Sequence, residues 1–154
     1  MKQYTLFAVS ALLFAAGCNT YDVRAIPYDR NMKEVAIIEN PKVLVTDFVN
    51  VMEDEFVSRG ISVRHVGPRH VLRPDEYSVT YDARQSWDIV TYLTDANVRV
   101  HKGGVSVGRG HYHHIGTSLS LAVWSKWRGT RVKMTPLYEE LLQAWDNAGR
   151  PESR

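Results

Sequence analysis

Three histidines in the middle of the chain have the residue type and spacing of metal ligands. His111 and His113 stand two residues apart, so in a β-strand both imidazoles would point to the same face. His101 lies across a Lys102-Gly103-Gly104 turn and could supply a third ligand to Zn²⁺ or Cu²⁺. Metal-bound histidines need a partner that orients the ring, and no carboxylate lies nearby in sequence. We therefore expect half-exposed sheet histidines rather than a metal site, and no bound metal or other cofactor.

The carboxylates also lack a spacing that selects them for catalysis. Hydrolysis of a glycosidic bond needs two carboxyl groups that face each other across a cleft. The available candidates are Asp75, Glu76, Asp82 and Asp88. No two of them stand out as a pair, so solvated surface charges are the favoured interpretation.

Serine and glycine motifs give no stronger indication of catalysis. Ser118 and Ser120 lack the Gly-x-Ser-x-Gly pattern of a serine nucleophile. A phosphate-binding loop places its glycines between a strand and a helix N-terminus. Here the glycines lie within a hairpin and its second strand, where bulges or close packing explain them; they are Gly103, Gly104, Gly108 and Gly110. The sequence therefore predicts that the protein is not an enzyme.

Aromatic and basic residues alternate before the last helix and form the predicted interaction face. Indole rings beside cationic groups can bind lipid headgroups, glycans or an acidic partner protein. Alternatively, the tryptophans cover the sheet while the basic groups remain solvated. The face consists of Trp124, Lys126, Trp127, Arg128 and Arg131.

Cys18 is the single cysteine of the chain, which excludes an internal disulfide and a Cys-x-x-Cys zinc site. Lys2 and the apolar residues 4–16 precede it, and this stretch has the length of a signal sequence rather than of a membrane span. Small residues, Ala15-Ala16-Gly17, stand directly before the cysteine. Residues 1–17 are therefore predicted to be a cleaved signal peptide.

The segment that ends at Cys18 resembles the lipobox of bacterial lipoproteins. In that family the thiol receives a diacylglycerol, the chain is cut before the cysteine, and the new amine is acylated, commonly with palmitate. The resemblance implies lipidation at Cys18 and attachment to a membrane of the Gram-negative cell envelope. Asn19 in the next position implies the outer membrane, with the domain facing the periplasm.

Two further motifs resemble a group of small Gram-negative lipoproteins with no assigned activity. The first is the strand Tyr77-Ser78-Val79-Thr80-Tyr81 that leads to Ser86-Trp87-Asp88. The second runs from Ser125-Lys126-Trp127 to Lys133-Met134-x-Pro136. This resemblance implies a single periplasmic α+β domain and assigns no catalytic residue.

Length and charge limit the remaining classes. A chain of 154 residues with 44% hydrophobic residues is sufficient for one globular domain. The 19 basic and 17 acidic residues give a formal net charge of +2. Nucleic-acid-binding domains carry a stronger basic excess, so no nucleic-acid partner is expected.

Hydrophobic periodicity predicts strand, helix, strand, three further strands and a final helix. The first helix would begin at Asn40-Pro41 and end at Gly60, and the last would begin at Thr135-Pro136. The predicted strands are residues 34–39, 61–66, 77–87, 96–101 and 105–113. This order favours an α+β fold with a mostly antiparallel sheet of four to five strands and two helices packed on one face.

Residues 18–33 have mixed polarity, contain Pro27 and show no period, so they are predicted to be a lipidated tether. Residues 34–147 would form the single domain, and residues 148–154 a frayed tail. The favoured function is a membrane-anchored envelope lipoprotein with a non-enzymatic binding or assembly domain. Its partners would be the membrane, through the N-terminal lipid, and another envelope protein, a lipid headgroup or a glycan. Two alternatives stay open, a metal-binding lipoprotein that uses the strand histidines and a weak cell-envelope hydrolase.

Overall fold

The computed structural model describes residues 19–115 and 127–149. Six strands form one sheet in the order β1-β6-β5-β4-β2-β3. The strands are β1 (Asn19–Arg24), β2 (Glu34–Ile38), β3 (Ser62–Val66), β4 (Tyr77–Asp88), β5 (Val90–Lys102) and β6 (Val105–His114). The helices are α1 (Phe48–Val57), α2 (Thr130–Leu141) and α3 (Gln143–Ala148). Within these described ranges, no helix is long and apolar enough to cross a bilayer.

The sheet is mixed, which corrects the predicted architecture of four to five mostly antiparallel strands with two helices. β2 pairs in parallel with β3 and with β4, whereas the other pairs are antiparallel. The parallel pairing follows from α1, because a helix between β2 and β3 returns the chain to the end at which β2 began. A sixth strand and a third short helix complete the difference from the prediction.

The sixth strand, β1, comes from the segment that was predicted to be a tether. Its six residues pair with β6, from Asn19 opposite His114 to Arg24 opposite Arg109. The following residues are also tied to the domain, because Ile26 is buried and its N–H donates to the carbonyl of Leu141 at 2.9 Å. The tether interpretation of residues 18–33 is therefore wrong for the part that the structure describes.

The core lies between the sheet and the helices. β4 contributes Val79, Tyr81 and Ala83 at alternate positions, as predicted, although Ser78 on the opposite face is also buried. α1 contributes a buried face that includes Phe56. α2 packs directly over β6, and a Cβ on Gly110 would lie 2.5 Å from Leu137 Cδ2. Close packing rather than a ligand therefore explains this glycine.

Both helix starts differ from the predicted positions. α1 begins at Phe48 rather than at Pro41. The Asn40 side chain instead holds the turn at residues 41–42, where its Oδ1 accepts from Lys42 N–H at 3.1 Å, and its Nδ2 donates to the Tyr81 carbonyl at 2.9 Å. α2 begins at Thr130 and includes Pro136 in its interior. Thr135, the predicted cap, instead donates its hydroxyl to Glu55 Oε1 at 2.8 Å.

Candidate functional site

The strand directions give the sheet two distinct ends. The proximal end is the end nearest Cys18 in the chain, where β1 begins at Asn19, β6 ends at His114 and the β4–β5 hairpin turns at Ile89. The distal end is the opposite one, where β2 begins at Glu34 and β4 at Tyr77. The candidate surfaces and clusters of the protein are best located by these two ends.

At the proximal end, the β4–β5 hairpin extends past its neighbours in the sheet. β5 pairs with β6 only from Asp95 onward, in the part of the chain that the structure describes. Residues 85–88 and 90–93 pair with each other beyond that point. At the usual rise per residue, this two-stranded arm, here called the hairpin arm (residues 85–93), projects about 15 Å beyond the pairing of β5 with β6.

The tip of the hairpin arm exposes three apolar side chains in close succession. Trp87 is 73% exposed, Ile89 75% and Val90 48%. Ile89 has a φ of 65°, a left-handed conformation that costs an L-residue roughly 1–2 kcal/mol and that β-branched residues adopt very rarely. The tip therefore combines exposed apolar surface with backbone strain, and neither feature improves the packing of the core.

The strand histidines have the orienting carboxylate that sequence proximity did not reveal. Asp95 of β5 stands opposite His113, and its Oδ2 lies 2.9 Å from His111 Nε2 and 3.2 Å from His113 Nδ1. Burial alone would raise the pKa of Asp95, but the hydrogen bonds from the two imidazoles lower it. The expectation that no carboxylate orients these rings is thus wrong, because the partner arrives through cross-strand register.

The third predicted ligand does not join them. His101 lies at the distal end of β5, opposite Ser106, and burial lowers its pKa, as does the nearby Arg99. Across residues 19–115 and 127–149, no group of three or more His, Cys, Asp or Glu side chains has an arrangement that could hold a metal ion. The structure therefore brings together two of the three candidate ligands, around Asp95.

The candidate carboxylates are spread over both ends of β4 rather than facing one cleft. Glu76 precedes the distal start of the strand, whereas Asp88 ends it at the proximal tip. Asp82, between them, lies 4.0 Å from Arg84 Nε. This distribution gives no pair of the kind that glycoside hydrolysis requires.

Glu76 is buried at the distal end and fully engaged. Its oxygens accept from Arg73 N–H at 3.0 Å and Arg64 Nη2 at 2.6 Å, and Oε1 lies 2.9 Å from His70 Nε2. The Arg73 N–H, helped by His70 and Arg64, lowers the pKa of Glu76 to about 2 against the effect of burial. The carboxylate is therefore held charged, as a structural anchor for the loop before β4.

The predicted aromatic and basic face divides into separate environments. Trp124 and Lys126 lie outside the described residues. Trp127 and Arg128 line a cavity of about 350 Å³ beside the base of the hairpin arm, together with Tyr92. Arg131 donates from Nη2 to Asp54 Oδ2 of α1 at 2.5 Å. Its charge is thus partly neutralised within the domain.

Lys133 was not singled out among the candidate residues, although it is 1% exposed. Its ammonium donates to the Leu93 carbonyl at 2.9 Å and lies 5.3 Å from the centre of the Tyr92 ring. Burial lowers its pKa to about 8. The signal was available, because Lys133, Leu137 and Leu141 recur at four-residue spacing and share one helix face.

No protein-family model and no curated protein sequence matches this chain. A PelC dodecamer from Paraburkholderia phytofirmans is similar in structure, with 14% identity, a TM-score of 0.48 and coverage of 78% of this chain and 98% of that one. A minor lipoprotein from Acinetobacter baumannii is similar with 11% identity, a TM-score of 0.40 and coverage of 76% and 95%. A PDZ domain protein from Parabacteroides distasonis shows 9% identity, a TM-score of 0.39 and coverage of 90% and 38%. The solved structures that resemble this chain thus include a bacterial lipoprotein.

Proposed function

We propose that this protein is a lipoprotein of the Gram-negative cell envelope whose domain is a non-enzymatic binding or assembly module. The observation that carries the proposal is the position of Asn19, the residue after the lipobox cysteine, at the start of β1. Its side-chain oxygen accepts from the Tyr112 hydroxyl at 3.1 Å and lies 2.9 Å from His114 Nδ1. A lipid on Cys18 is then joined almost directly to the sheet, so the domain is held against the membrane in a restricted orientation.

Two features favour binding over catalysis. Glu76 and Asp82, which were weighed as acid and base, form contacts with neighbouring basic groups. The hairpin arm instead presents a concentrated group of exposed apolar side chains, which is typical of an interaction surface. The domain is therefore better suited to docking than to turnover of a substrate.

Metabolic labelling with an alkyne analogue of palmitate tests the lipid anchor. We expect the wild-type protein to incorporate the label and to sediment with outer membranes, and Cys18→Ser to lose the label. Asn19→Asp is the matched control, because it keeps the side-chain oxygen that contacts Tyr112 and His114. In an enteric host it should keep the label and move to the inner membrane. An unlabelled wild type, or a labelled Cys18→Ser variant, would overturn the proposal.

Incubation of the purified protein with peptidoglycan and with model glycosides tests the non-enzymatic part. We expect no turnover. Turnover by the wild type that is lost in Asp82→Asn or Asp88→Asn would show a hydrolase and contradict the binding role.

A further inference from the structure

We propose that the tip of the hairpin arm enters the bilayer interface next to the lipid on Cys18, so that the protein holds its membrane at two points. This inference rests on the proposed function, since the lipid anchor supplies the bilayer. It adds a second contact, made by Trp87, Ile89 and Val90, that fixes how the domain stands on the membrane.

The position of the anchor provides the first argument. Residues 1–18 lie outside the described chain. The first described residue is Asn19, at the proximal end of the sheet. The hairpin arm projects from that same end, and β6 and β5 lie between β1 and β4 in the order of the described strands. At the usual strand spacing, the anchor and the arm are about 15 Å apart across the sheet. A sheet tilted on the membrane brings both to one surface.

The chemistry of the tip fits the interface rather than the hydrocarbon core. Indole rings concentrate at the level of the lipid headgroups, and the apolar side chains of Ile89 and Val90 gain by leaving water. Asp88 lies between Trp87 and Ile89 in the chain and limits the depth of insertion, because a carboxylate is costly in hydrocarbon. Strand alternation points Asp88 away from Trp87, so the acid can remain among the headgroups while the ring inserts.

The conformation of Ile89 provides an independent argument. Glycine or asparagine would occupy a φ of 65° with less strain, yet the position holds a β-branched residue that is 75% exposed. The described residues of the domain leave most of this side chain uncovered. An apolar environment outside the domain accounts for an isoleucine at this site, and the bilayer is the one the anchor supplies.

Collisional accessibility of a spin label tests the proposal on the intact lipoprotein. Because lipid occupies the thiol of the only native cysteine, an introduced cysteine is a unique labelling site. We would compare Ile89→Cys with Val71→Cys, whose position is 84% exposed in the loop between β3 and β4. Both proteins are purified with their lipid and reconstituted into vesicles of phosphatidylethanolamine and phosphatidylglycerol.

We expect the label at position 89 to become accessible to oxygen, which partitions into lipid, and to lose most of its collisions with a water-soluble nickel chelate. The label at position 71 should remain exposed to the chelate. Equal exposure of both labels overturns the proposal, as does strong dipolar coupling between labels at position 89, which would indicate a second copy on the tip. Flotation of the protein with the vesicles distinguishes failure of the lipid anchor from failure of the second membrane contact. Failure to float contradicts the lipid anchor, whereas flotation with an aqueous label at position 89 contradicts only the second contact.

Discussion

The two ends of the sheet differ in how their loops and turns are held. At the distal end, Asp29 accepts from Lys102 Nζ at 2.6 Å and from the Tyr77 hydroxyl, and these two donors lower its pKa. Glu76 forms a comparable network with Arg64 and His70. At the proximal end, the hairpin arm presents apolar side chains to its surroundings. Charged side chains thus hold the distal loops, whereas the turn at the proximal end leaves its apolar side chains exposed.

The helices that cover the sheet show a related contrast between two ion pairs. Arg59, at the end of α1, is paired with Glu55 at 2.8 Å and with Asp146 of α3 at 2.9 Å, and its side chain is 10% exposed. Arg131 of α2 reaches Asp54 of α1, and both side chains are more than half exposed. Both arginines connect α1 to the C-terminal helices, but only the first does so away from water.

The largest effect should come from the buried arginine. Arg59→Met leaves Glu55 nearly buried without its cation and releases Asp146, so we expect the free energy of unfolding to fall by about 3 kcal/mol. Arg131→Gln, the matched control, should cost much less, because its pair with Asp54 is solvated. Urea unfolding of the two variants measures the difference. Equal losses of unfolding free energy in the two variants would show that burial does not decide how much each ion pair contributes to stability.

Lys133 should give the protein a distinctive alkaline profile. Its pKa is about 8 in the folded protein against 10.5 for an ordinary lysine. Between these values the unfolded chain binds more protons than the folded one, so stability should rise with pH, by about 3 kcal/mol in total. In Lys133→Met this rise should disappear. The measurement is the unfolding free energy of both proteins across that pH range. Because both contain the same tyrosines, the difference between the two curves removes the contribution of tyrosine titration.

Glu76 should produce a dependence of the same sign at acid pH, because its pKa is also lowered in the fold. Its pKa is about 2 in the fold against an ordinary 4.5, so its contribution is complete above 4.5 and is lost as pH falls toward 2. Glu76→Gln at neutral pH should cost about 2 kcal/mol, because it removes hydrogen bonds to charged groups. Glu34→Gln is the control, since its contact with Arg64 is half exposed and should contribute little. Acid titration of unfolding would contradict this account if the Glu76→Gln variant kept the wild-type pH dependence.

Local patterns predicted the parts of the fold that depend on local burial. The alternation from Tyr77 and the Gly103-Gly104 turn are confirmed in β4 and in the β5–β6 hairpin, where both glycines have positive φ. β1 was missed because an edge strand obtains its pairing from β6, and its own residues are mostly polar and exposed. The contact of Asp95 with His111 was missed for a similar reason, because cross-strand register cannot be read from one strand alone.

The second strand of the hairpin arm escaped prediction because the arm does not follow the rule of burying apolar residues. Apolar side chains at Trp87, Ile89 and Val90 are exposed, so alternation no longer marks the strand. Sequence reasoning therefore placed the start of the next strand at residue 96, whereas β5 begins at Val90. Departures of this kind are expected where residues serve a contact outside the domain.

The smallest predicted effect bears most directly on the comparison of the two ends. Ile89→Gly relieves a left-handed β-branched residue, so we expect the isolated protein to gain roughly 0.5–1 kcal/mol of stability. The same change at Val105, an exposed strand residue of the distal end without positive φ, should lose about that amount.

On membranes, Ile89→Gly should be the harmful substitution and Val105→Gly the harmless one. Loss of the isoleucine should speed transfer of the lipidated protein between vesicles about tenfold, since one buried apolar side chain contributes to retention. Val105→Gly should leave that rate unchanged. A variant at position 89 that is more stable in solution yet held less firmly by lipid would show that the isoleucine serves the membrane contact at the expense of the fold. Unchanged transfer would assign the strain to the turn alone.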